Sequence, residues 1–126
     1  MGRSIRVLCS ALAAATLWLG LGGSPGSGAA ETPAGDAGRG KDLFLRYCQG
    51  CHGKDGRGGG HTFMPHVNRL TEKGYIDLLP DEYLYQVITE GGQFVGKSGY
   101  MPSWKTTLTD QDVHDVIAHI RTLRLH

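Results

Sequence analysis

The sequence predicts a small all-α domain of three main helices joined by long loops. Three observations lead there. Apolar residues recur at spacings of three and four in three separate stretches between Asp36 and Leu123. No stretch alternates apolar and polar residues well enough to form a half-buried strand. Glycine-rich segments, drawn from the 20 glycines of this 126-residue chain, separate the periodic stretches.

The chain opens with Arg3 and Arg6, followed by an almost wholly apolar run from Val7 to Leu21 and the small-residue string GGSPGSGAA. That order is the pattern of a signal peptide, with Gly28 and Ala30 placed for cleavage before Glu31. The expectation is a signal peptide over 1–30, a flexible tether over 31–37 and a folded domain over 38–126, exported to the periplasm. An uncleaved membrane anchor is the alternative, although a spanning helix wants about 20 apolar residues. Cys9 falls inside the apolar run and would leave with it. After such cleavage 11 of the 13 Lys/Arg remain against all 12 Asp/Glu, a net charge of −1 that offers nothing to a nucleic acid. A domain this small has a modest core, so a large buried cofactor would contribute much to its stability.

The first helix is expected from about Asp36 to Gln49, with Gly40, Phe44, Tyr47 and Cys48 on one side. Gly50 and the run GKDGRGGG then begin a long loop. Pro80-Asp81-Glu82 marks the start of a second helix that buries Leu84, Val87 and Ile88 and stops at Gly91-Gly92. The third begins after Thr109-x-x-Asp112, a capping box with Asp in place of Glu or Gln. Val113, Val116, Ile117, Ile120 and Leu123 form its apolar stripe, and Arg121 and Arg124 suit its negative end.

The chemistry resides in Cys48-Gln49-Gly50-Cys51-His52. A redox dithiol is disfavoured, because such a pair sits at a helix N-terminus where the dipole lowers the thiol pKa, and this pair falls at a helix C-terminus. A zinc site assembled from Cys48, Cys51, His61 and His66 has four suitable ligands. Its pairs are nine residues apart rather than about 12, and it leaves His52 without a role. Haem uses all three residues: two thiols three positions apart add to two vinyl groups, and the adjacent imidazole binds iron from one face. One covalent haem c is therefore expected.

Iron so held takes a sixth ligand, commonly Met or His. Met101-Pro102 lies 49 residues beyond His52, just before the last helix, whereas Met64-Pro65 lies only 12 beyond and has little chain with which to reach the opposite face. Met101 is the expected ligand. His61 and His66 are disfavoured for the same reason as Met64, and His114, His119 and His126 are expected to be surface or packing residues. The string GGQFVGKS, Gly91 to Ser98, matches a phosphate-binding loop in text alone, since that loop needs a strand before it and a helix after it.

Taken together, the helix with Gly40 and Phe44, YCQGCHGKDGRG, EYLYQVITEGG, MPSW and LTDQDVHDVIAHIRTL resemble a class I cytochrome c over about Gly38 to Leu123. The resemblance is to small single-haem bacterial proteins of the exported type. It implies a small cytochrome c fold with long loops wrapped around one covalently bound haem, Cys48 and Cys51 attached to it, and His52 and Met101 on the iron. It also implies that the Pro65 carbonyl accepts the His52 Nδ1 proton and that Trp104 lies beside a haem propionate. His114 and His119 depart from the family, standing where its last helix often carries aromatics. The implied function is electron transfer between redox protein partners, a donor and an acceptor, with no small-molecule substrate and no enzymatic step. The alternative is a fixed haem subunit of a membrane or periplasmic oxidoreductase. A ligand sensor or peroxidase would need a vacant sixth position, against which Met101 argues.

Overall fold

The computed structural model describes residues 33–59, 67–72 and 74–123. The chain divides into two units, Met1–Ala30 and Glu31–His126, and every described residue lies in the second. The expected signal peptide, Met64, Pro65, His61, His66, Arg124 and His126 fall outside the described residues.

Four helices and no strand occur among the described residues: α1 (Ala37–Tyr47), α2 (Gln49–His52), α3 (Asp81–Glu90) and α4 (Asp110–Leu123). Single 3₁₀ turns at Ile76–Leu78 and Gly92–Val95 flank α3. The first helix ends two residues earlier than the sequence suggests and resumes as the one-turn α2. No described helix is long and apolar enough to cross a membrane.

The frame is the packing of α1 on α4. Gly40 permits it: a Cβ there would stand 1.8 Å from the Asp115 carbonyl oxygen, so only a bare backbone lets the helices approach this closely. Around that contact Phe44, Val113 and Val116 are almost completely excluded from water, and Ile117, Ile120 and Leu123 continue the buried stripe. Each fully buried aliphatic or aromatic side chain of this kind contributes about 1.5–3 kcal/mol.

Polar contacts then fix the register. Asp115, fully buried in the middle of the apolar stripe, accepts hydrogen bonds at Oδ1 from the Asp36 amide (2.8 Å) and Gln111 Nε2 (2.9 Å). Arg39 Nε lies 2.6 Å from its Oδ2 in an ionic contact rather than a well-directed hydrogen bond. Asp36 also caps α1, its carboxylate accepting from the Gly38 and Arg39 amides. Residues 34–36, which fall in the expected tether, are thus fastened to α4, with the Ala34 carbonyl accepting from Gln111 as well.

The expected capping box is present. Thr109 Oγ1 accepts from the Asp112 amide at 3.2 Å, and Asp112 Oδ2 accepts from the Thr109 amide at 3.0 Å. Hydrogen bonding by the Thr109 hydroxyl and amide, in that order, holds the Asp112 carboxyl below its ordinary value. Arg121 differs from expectation. Instead of serving its own helix end, it reaches sideways to donate to the Ile76 and Leu79 carbonyls and to Asp81 Oδ1 (2.6 Å), pinning the first 3₁₀ turn to α4.

Candidate functional site

Cys48 is at once the last-turn cap of α1 and the first residue of the turn that becomes α2. The amides of Cys51 and His52 both donate to the Cys48 carbonyl, at 3.2 and 3.0 Å, closing one helical turn. Residues three and four apart on such a turn share a face, which brings both thiols and the imidazole to one side. Gly53, with φ 72° and ψ 151°, ends the turn in a conformation open to glycine, and the Gly58 amide returns to the His52 carbonyl at 2.8 Å.

All three side chains are half-buried and line one cavity of about 490 Å³, within the usual range for cofactor pockets. Every described helix contributes to its walls: Phe44 and Tyr47 from α1, Leu84 and Val87 from α3, Val116 and Ile120 from α4. Val87, expected in the core, faces this cavity instead. Burial first, and the neighbouring Cys51 second, push the Cys48 thiol up to about 11. A thiol so raised is a poor redox nucleophile, which disfavours the dithiol chemistry again.

Burial lowers the His52 pKa, with the Asn68 backbone partly offsetting it. Its Nδ1 is buried without a hydrogen bond of normal geometry. The ring is therefore neutral at physiological pH, the form in which imidazole binds metals.

Met101 lines the same cavity, on a loop tied to the C-terminal end of α3. The Met101 carbonyl accepts from the Gly92 amide (3.0 Å), the Trp104 amide donates to Ile88 (3.0 Å), and Thr89 accepts from the Ser103 hydroxyl (2.5 Å) and the Lys105 amide (3.2 Å). Gly91 is indispensable to this arrangement, because its φ of 87° and ψ of 166° suit glycine alone and its Cα faces the Met101–Ser103 backbone. Cys48, Cys51, His52 and Met101 thus line one cavity, while Met64, Pro65, His61 and His66 lie outside the described residues. Among the described residues no three His, Cys, Asp or Glu side chains converge as a metal cluster.

Trp104 also lines the cavity, its ring 5.5 Å from that of Tyr47. Tyr75 and Tyr83, which the sequence reading did not single out, join it. The i, i+4 spacing of Tyr83 and Val87 on α3 was an available signal for Tyr83; Tyr75, before the 3₁₀ turn, had none of that kind. Behind the site, His119 packs edge-on against Phe44 at 5.2 Å, at a position where the resemblance implied an aromatic ring. His114 stacks on Tyr85 at 5.3 Å, away from the cavity lining. The Gly91–Ser98 string follows a helix and contains a 3₁₀ turn, so no phosphate loop forms.

A largely apolar macrocycle suits these residues: the walls are mostly aliphatic and aromatic, and both thiols, the His52 imidazole and the Met101 thioether line the same cavity. Residues 35–120 match the family model of cytochrome c oxidase, cbb3-type, subunit III. The cbb3-type cytochrome c oxidase subunit FixP of Bradyrhizobium diazoefficiens is 26% identical over 88 residues, which make up 70% of this chain and 28% of that protein. The chain therefore spans less than a third of that relative's length. The solved structure of the c-type cytochrome KustC0563 matches with a TM-score of 0.57 and 23% identity over 68% of this chain and 96% of the other, a likeness of fold. The chain belongs to the family of cytochrome c oxidase, cbb3-type, subunit III, and is a c-type cytochrome domain that transfers electrons through a covalently bound haem c.

Proposed function

We propose that Cys48 and Cys51 carry the haem through thioether bonds, that His52 and Met101 ligate its iron, and that the domain relays single electrons from a protein donor to a protein acceptor. The observation that carries this reading is the shared cavity, which gathers those four side chains from two distant parts of the chain. Haem held there supplies a one-electron ferric/ferrous couple. The chain's own contribution is to hold and shield it. The apolar walls exclude water and favour the less charged ferrous state. His52 presents a neutral ring, and the loop fastened to α3 keeps a weakly binding sulfur in place. Reduction of any terminal substrate belongs, in this reading, to a partner. The attachment chemistry takes place outside the cytoplasm, which fits export to the periplasm after removal of residues 1–30, with an uncleaved anchor as the alternative.

Protein produced with a cytochrome maturation system should keep its haem through acid-acetone extraction, and Cys48→Ser or Cys51→Ser should leave one thioether or fail to mature. Release of haem from the unsubstituted chain would refute the assignment. The family match and the similarity to FixP support a second reading, a fixed haem subunit of a membrane oxidase complex. Size-exclusion of a detergent-solubilised native extract separates the two: co-elution of the haem with a large complex supports the fixed subunit, and elution alone the free carrier.

A further inference from the structure

The cavity wall has one feature at odds with its apolar character. Among the described residues that line it, Lys97 is the one side chain with a fixed charge. It is exposed and makes no ion pair with another described residue. Its backbone is nevertheless well fixed. The Lys97 amide donates to the Gly92 carbonyl at 2.8 Å, directly after Gly96, which turns the chain with φ 72°. Ser98 lines the cavity beside it, and its hydroxyl oxygen accepts from the Tyr100 amide at 3.2 Å, leaving the hydroxyl proton free to donate. A cation and a hydroxyl donor are therefore held on the same tight connection that carries Met101.

Haem is not wholly apolar: it carries two carboxylate arms, and an anion entering an apolar cavity needs a partner of opposite charge or strong donors. We propose that Lys97 pairs with a haem carboxylate, with the Ser98 hydroxyl as a second donor. The Lys-Ser pair that ends the phosphate-loop-like string thus binds an anion after all, a carboxylate on the cofactor. This inference rests on haem occupying the cavity as proposed above. A cation on that carboxylate offsets its negative charge, so it favours the ferrous over the ferric protein and keeps the carboxylic acid ionised to lower pH.

The test uses holoprotein with isotope-labelled haem carboxylates, comparing Lys97→Gln and Lys97→Arg with Lys105→Gln. The last makes an equal charge change on the same connection, at a lysine that pairs with Glu90 and does not line the cavity. Lys97→Gln should raise the ferric-to-ferrous ratio about 1.5- to fivefold, the range of an exposed ion pair, a fall of roughly 10–40 mV at 59 mV per tenfold. The labelled carboxylate bands in redox-difference infrared spectra should move with it, the acid limb of the potential–pH curve should shift to higher pH, and Lys97→Arg should restore all three. Lys105→Gln should leave the bands in place. Unmoved bands in Lys97→Gln, with or without a change in potential, would overturn the pairing. Loss of haem in acid-acetone would instead overturn the occupancy on which it rests.

Discussion

Gly91→Ala should unfasten the sulfur loop. The residue sits at φ 87° and ψ 166°, and an added Cβ would stand 3.0 Å from the Met101 carbonyl oxygen, 3.0 Å from the Ser103 amide nitrogen and 3.1 Å from the Pro102 carbonyl carbon. The backbone conformation alone costs about 1–3 kcal/mol for a residue with a side chain. All three contacts are backbone atoms, so the Met101–Ser103 segment must yield by a few tenths of an ångström, which threatens the adjacent Gly92–Met101 hydrogen bond, worth about 1 kcal/mol. The total is about 2–4 kcal/mol, or a fall in Tm of roughly 10–25 °C for a domain of this size. Heating ferric holoprotein while following the weak near-infrared sulfur-to-iron band and the far-ultraviolet helix signal should show the band lost first. Gly96→Ala is the control: φ is also positive, at 72°, but the added Cβ meets nothing within 4 Å. It should cost about 1–2 kcal/mol and spare the band at room temperature. If Gly91→Ala falls within about 0.5 kcal/mol of the parent with its band intact, the contact argument is wrong.

Met101→Ala should abolish that band, lower the potential and open the iron to small ligands, whereas Met64→Ala should leave the band unchanged; the reverse outcome in ferric spectra would exchange the two assignments. Burial lowers the His119 pKa, and nearby Lys41 adds to the effect. The unfolded chain then binds the proton more readily, so stability is full above the ordinary imidazole value of 6.5 and declines as pH falls below it. Denaturant titrations from pH 8 to pH 5 should show a flatter profile for His119→Phe, and an unchanged slope would contradict this.

The parts of the structure legible in the sequence are those governed by short-range spacing. Phe44 and the α4 stripe repeat at three and four, Thr109 and Asp112 cap each other within one turn, and Cys48, Cys51 and His52 form a contiguous string. What escaped depends on contacts between distant residues. Asp115 interrupts an apolar stripe and would be placed in solvent, yet Asp36, Arg39 and Gln111 surround it, two of them more than 70 residues away. Arg121 suited a helix end by its position, but the carbonyls it meets belong to a 3₁₀ turn too short to carry any periodicity. Chain length and Pro102 pointed to Met101, which lines the cavity, whereas most of the bonds that hold its loop to α3 come from backbone groups, which carry no residue-type signal.

The union of α1 with α4 also sets a timetable. The Asp36–Asp115 contact spans 79 positions, and α4 is the last of the described helices to leave the ribosome. Until then Phe44 and Gly40 have no surface to pack against, and α1 alone, at 11 residues, is too short to persist in water. The Cys48–His52 string therefore lies on an open, pliant segment for as long as α4 has not docked on α1. Arrival of the final helix ends that interval, because the element that completes the core also supplies Val116 and Ile120 to the cavity wall. Modification of Cys48 and Cys51 is therefore expected to precede the docking of α4 on α1, because that docking both completes the core and closes the cavity around them.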